Sequence, residues 1–166
     1  DAQLDSFVQT AIDDKSIHKK LYFGKIPSEL SAKVFEKTGV NVAGYNFTLR
    51  MDEIRKMLKD HGQRAKEANR GQQPITQKDF ARIPTVVLNP DNIKLSDKLF
   101  EGKPVILFEK GRKTVVAYVT KKHMDLTVQT MYLVKKKRAD PLRRVMLQAS
   151  SCKRPKRLVV MLPLQR

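Results

Sequence analysis

The residues of this chain best equipped for chemistry are a histidine closing an amphipathic stretch and the basic background around it. Asp52-Glu53-Ile54-Arg55-Lys56-Met57-Leu58-Lys59-Asp60-His61-Gly62 spaces Ile54, Met57 and Leu58 at helical intervals and ends on His61. An imidazole titrates near neutrality, and a formal net charge of +17 draws polyanions toward it. Cleaving a phosphodiester without a metal needs a proton acceptor, a proton donor and cationic or hydrogen-bonding groups around the crowded phosphate. His61 suits either proton-transfer role, and Glu109 and Tyr132 are candidates for the other. Arg50, Lys110 and Lys121 are candidates to stabilise phosphate charge, and Thr130 to donate a hydrogen bond. Lys135, Lys136, Lys137 and Arg138 form a run suited to nucleic-acid backbone contacts. Plainer accounts exist for each. A helix C-terminus favours a histidine through its dipole alone, Glu109 and Lys110 can be the polar end of a strand, and Thr130 is a good strand former. His18 and His123 stand in basic, polar surroundings and read as exposed surface residues.

Charge bounds the partner. The 34 Lys and Arg outnumber 17 Asp and Glu, with a pI near 10.1, which points to nucleic acid first and an anionic membrane surface second. Residues 1–90 carry 15 basic and 11 acidic side chains and residues 91–166 carry 19 and 6, so the cationic footprint is expected in the second half. A hydrophobic content of 40% over 166 residues suffices for one domain with a real core. Cys152 has no second cysteine to pair with, no Cys/His cluster has zinc spacing, and the sequence implies neither metal nor cofactor. No apolar run approaches a membrane span. The chain opens on Asp1 rather than Met and has the look of an excised piece, with any delivery signal expected in a preceding portion.

The elements that must position these residues follow from periodicity. Leu4, Phe7, Val8, Ala11 and Ile12 predict a helix running toward His18, and Leu30, Val34 and Phe35 a second one ending near Gly39. Residues 40–49 read as extended, with Gly44 and Asn46 as turn residues. A third helix is expected from a capping Asp52 to Gly62, then a mobile surface loop to Pro74. Thr76 offers an N-cap to a short helix bearing Phe80, and Pro84 fits the first turn of the next. Beyond Asn89-Pro90-Asp91 the period becomes extended: residues 103–110 and 113–120 predict a hairpin about Gly111-Arg112, and residues 126–133 a third strand. Residues 158–162 are a possible further strand inside a basic tail. The whole is an α+β plan, with N-terminal helices packed on a small antiparallel sheet whose basic face is open. Tyr118 and Tyr132 in that sheet offer stacking to bases. The expected divisions are an N-terminal helical segment (1–20), an α+β domain (21–138) and a basic extension (139–166).

One succession of short motifs resembles a known group. It comprises Ile54-Arg55, His61-Gly62, Pro74-Ile75-Thr76, Asp79, Ile83-Pro84, Asn89-Pro90-Asp91, Val105-Ile106-Leu107-Phe108-Glu109-Lys110, then Leu126 and Thr130-Met131-Tyr132 before lysines. This order is similar to that of the barnase/EndoU/colicin/RelE-like nuclease superfamily. More narrowly it resembles the branch found in phage polyvalent proteins, phage head-morphogenesis proteins and bacterial toxin effectors. The likeness covers about Leu21 to Arg138 and rests on order and spacing. It implies a ribonuclease that needs no metal or cofactor, leaves cyclic phosphate ends and acts in the cytoplasm of a bacterial target cell after delivery within a larger secreted or phage protein. RNA is then the partner, with an acidic immunity protein expected beside a toxin. The sequence departs from the group at Lys56, where many members carry another histidine. Two other classes remain open: a noncatalytic nucleic-acid-binding module, and a membrane-surface protein bound through its basic tail. Both nucleic-acid readings predict that affinity for RNA, followed by fluorescence anisotropy, falls steeply between about 50 and about 200 mM salt. An affinity indifferent to salt would remove both.

Overall fold

The computed structural model describes residues 1–135, which form one compact unit. In chain order the elements are α1 (Ala2–Asp13), β1 (Lys20–Lys25), α2 (Ser28–Thr38), β2 (Asn46–Arg50), α3 (Met51–His61), α4 (Arg64–Asn69), β3 (Gln72–Gln73), α5 (Gln77–Phe80), α6 (Ile83–Leu88), β4 (Asn92–Leu95), β5 (Val105–Lys110), β6 (Lys113–Thr120) and β7 (Asp125–Val134). The sheet runs β1-β2-β7-β6-β5-β4, with β3 also on β7. Every pairing is antiparallel except β2 with β7, where Asn46–Thr48 lie parallel to Asp125–Thr127. The α+β plan with helices on a mostly antiparallel sheet is therefore present, with one parallel junction that alternation alone does not reveal.

Alternation along each strand separates two faces. Phe47 and Leu49 of β2, Leu126, Val128 and Met131 of β7, Val115, Ala117 and Val119 of β6, and Ile106 and Phe108 of β5 enter one core. Leu4, Val8 and Ala11 of α1, Leu30 and Val34 of α2, Ile54 and Met57 of α3, and Ile83, Val86 and Val87 of α6 cover it. Phe47 sits at its centre, stacked on Phe23 at 5.8 Å and edge-on to Phe108 at 5.7 Å. The opposite face presents Lys20 and Tyr22 of β1, Thr48 and Arg50 of β2, Asp125 and Thr127 of β7, and Tyr118 and Thr120 of β6.

Local chemistry explains most boundaries. The Asp1 carboxylate accepts from the Gln3 amide to start α1, Gly39 at φ 72° closes α2, and Thr76 with Asp79 forms a capping box for α5. Gly111 at φ 58° lets the β5–β6 hairpin turn in two residues.

Three expectations need correction. Residues 62–74 are no loose loop but hold α4 and β3, because the polar run hides a carboxylate, Glu67, that is buried completely. Asp52 does not cap α3, which starts one residue earlier at Met51; its carboxylate is taken by His18 and Arg55 instead. Tyr118 is buried against Phe100, with ring centroids 4.5 Å apart, which withdraws it from stacking on a base. The possible strand at residues 158–162 and the cluster Lys136, Lys137 and Arg138 lie outside the described residues. With Phe47 in contact with two other rings, Phe47→Ala is expected to lower stability by about 3–5 kcal/mol in urea unfolding.

Candidate nucleic-acid interface

The largest gathering of chemistry on the open face is a cavity of about 430 Å³ lined by His18, Lys19, Lys20, Arg50, Asp52, Lys103, Tyr118, Thr120, His123, Asp125 and Thr127. Its walls come from segments far apart in the sequence. His18 and Lys20 arrive with the segment entering β1, Arg50 ends β2, and His123 stands in the β6–β7 turn. The Arg55 guanidinium holds the first wall in place. It donates to the carbonyls of Ala11, Asp14 and Ile17, each at 2.7 Å, and to the Asp52 carboxylate at 3.2 Å. That fork fixes the chain leaving α1 against α3, so His18 stands beside Asp52, with its Nδ1 2.7 Å from Oδ1.

The electrostatics follow from this packing. The hydrogen bond with His18, helped by Arg55 and Arg50, holds the Asp52 carboxyl below the usual carboxylate range. Lys20 is held above the ordinary lysine range, first by hydrogen bonding with Tyr22 and then by the Asp125 carboxylate, 3.2 Å from Nζ. Below the cavity the Thr48 and Thr127 hydroxyls meet at 2.9 Å across the parallel junction. Two carboxylates thus sit among four lysine and arginine side chains and two imidazoles. Such a surface can grip a phosphate chain and offer it exposed proton-transfer groups.

A smaller cavity, about 190 Å³, lies where β7 lacks a strand on one edge. It is lined by Lys56, Met57, Asp60, His61, Gln129 and Thr130. Here His61 is half-buried, its Nδ1 3.2 Å from Oε2 of Glu67, whose other oxygen accepts from Arg70 at 3.1 Å.

The sequence candidates are therefore distributed. His61 and Thr130 share the smaller cavity, and Arg50 lines the larger one. Tyr132 is half-buried on β7 opposite Thr114. Glu109 is engaged by Asn92 and Lys94 on β4, while Lys110 donates to the Asn89 carbonyl. Lys121 is exposed in the β6–β7 turn, and exposed Lys135 follows β7. His18 and His123 are exposed, as expected from their surroundings, and line the larger cavity together. The only sequence signal for that was the basic character of their neighbours. Among the described residues, no group of three His, Cys, Asp or Glu side chains is arranged to hold a metal.

A helix-backed sheet with a cationic open face bearing imidazoles and hydroxyls is a surface suited to phosphate groups. The chain belongs to the phage-Barnase-EndoU-ColicinE5/D-RelE like nuclease3 family, which it matches over residues 24–141. It is a nuclease-family domain. The matched segment includes Arg50, His123 and the whole smaller cavity, whereas His18, Lys19 and Lys20 precede it. No curated protein and no solved structure matches this chain.

Arg55→Ala leaves three carbonyls without their guanidinium, and a loss of about 1.5–3 kcal/mol in urea unfolding is expected. The sign of the pH effect follows from Asp52. Its contribution is present above the ordinary carboxylate pKa and is lost as pH falls through the lowered one, so Asp52→Asn should destabilise at pH 7 and converge with wild type in acid.

Proposed function

We propose that this chain is an endoribonuclease, working without a metal, that uses His18 and His123 as its proton-transfer pair. The observation carrying this reading is that both imidazoles line one cavity with Lys19, Lys20, Arg50 and Lys103 on the open sheet face. One imidazole removes the ribose 2′ proton as O2′ attacks the adjoining phosphorus. The other protonates the departing O5′, leaving a 2′,3′-cyclic phosphate and a 5′ hydroxyl. Arg50 and the lysines offset the charge gathering on the phosphate, and Asp52 orients His18 through Nδ1, keeping Nε2 for the substrate. The same basic face suits an acidic neutralising protein of the kind that accompanies a toxin or phage effector.

The test is incubation of purified protein with total cellular RNA in chelator, followed by mapping of the ends. Wild type should leave 2′,3′-cyclic phosphates, and His18→Ala and His123→Ala should each slow cleavage by about 10²–10⁴-fold. Intact RNA together with salt-sensitive binding would leave a noncatalytic binding module. Cleavage lost only in His61→Ala would move the chemistry to the smaller cavity.

A further inference from the structure

The smaller cavity differs in kind from the cationic one beside it. β2 pairs with β7 only at Asp125–Thr127, and β3 only at Leu133 and Val134. Between them residues 128–132 have no strand on that edge among the described residues, and α3 runs past the gap. The cavity's charged lining is one lysine, Lys56, and one aspartate, Asp60. Phosphate would meet nearly as much repulsion as attraction there, whereas a neutral, planar, hydrogen-bonding group would not. At about 190 Å³ the cavity is smaller than the roughly 300–1,000 Å³ typical of whole small-molecule sites, which limits its occupant to a fragment such as one heterocycle.

Its polar lining is suited to reading such a fragment. The Gln129 amide both donates and accepts, and the Thr130 hydroxyl does the same. Gln129 is also the extra residue of a β-bulge. The ladder with β6 passes from Thr130 opposite Val116 directly to Val128 opposite Ala117, leaving Gln129 out of register. The His61 imidazole is set in advance by the fully buried Glu67, itself bonded to Arg70, and its ring makes no other hydrogen bond among the described residues. The cavity lies close to the cationic pocket, since Thr130 follows Thr127 by three strand positions, about 10 Å. A neighbouring nucleotide of the same strand can span that interval.

We propose that this gap is a base-binding subsite: Gln129, Thr130 and His61 read the edge of one nucleobase flanking the phosphate held in the cationic pocket, and so choose where the chain is cut. The proposal rests on the ribonuclease reading for its effect on cleavage, but its binding step is separable. The test uses 2′-O-methyl tetranucleotides, which cannot be cleaved by 2′ attack, varied through the four bases at each position. Wild type should prefer one base at one position, and Thr130→Val and Gln129→Ala, checked as folded by circular dichroism, should each reduce that preference by about tenfold. The dependence of affinity on salt should not change, because no phosphate contact is removed.

A wild type without base preference at any position overturns the proposal. So does an equal loss for all four bases with a flatter salt dependence, which would make the gap a phosphate site. Loss of cleavage in His61→Ala with an unchanged binding preference also overturns it, by making that imidazole a catalytic residue. Base preference that persists in a protein unable to cut RNA supports the subsite and removes only the ribonuclease reading.

Discussion

The short parallel contact between β2 and β7 is the constraint on which the molecule depends. It joins the N-terminal half, from α1 to β2, to the meander of β4 through β7, using the pairing of Asn46–Thr48 with Asp125–Thr127. Phe47 and Leu126 fill the core on one side of this junction, while the Thr48 and Thr127 hydroxyls bond to each other on the other side. Buried hydroxyls are costly unless paired, so the bond satisfies both groups and favours this register over a slipped one. Had the halves met elsewhere, His18 and Arg50 would not stand opposite His123 and Asp125.

The same junction is short, and its shortness creates the second cavity. β2 ends at Arg50 and the chain turns at once into α3, which passes the uncovered edge of β7 before α4 and β3 restore pairing at Leu133. An exposed edge invites association with other strands, and here a helix lies along it. The helix also divides the electrostatics. Its first turn brings Asp52 to the cationic pocket, and its last brings Asp60 and His61 to the gap. One helix thus borders a surface suited to phosphate and a cleft suited to a neutral group.

Two charge networks hold this arrangement, one on the partly exposed Arg55 and one on the buried Glu67 carboxylate. Arg55 gathers three backbone carbonyls and Asp52, tying the end of α1 and the approach to β1 onto α3. Glu67 joins His61 to Arg70 and secures α4 at the far end of the same helix. Desolvating the Glu67 carboxylate costs much of what its hydrogen bonds return, so its contribution lies more in fixed geometry than in net stability.

Sequence alone determined the elements with strong local signals. The helical spacing of Leu4, Val8 and Ala11, the Thr76 N-cap, the Gly111 turn and the alternation along β6 were legible because each depends on residues within a turn or two of one another. The excess of positive charge and the order of motifs likewise carried the nuclease family. Only the tertiary structure decided which side chains meet. His18 and His123 are 105 positions apart and share a wall because β2 lies beside β7. Glu67 is buried within a polar run because His61 and Arg70 converge on it, and Tyr118 was lost to stacking because Phe100 covers it. Such encounters are fixed by long-range packing between segments, which leaves no periodic trace in either segment alone.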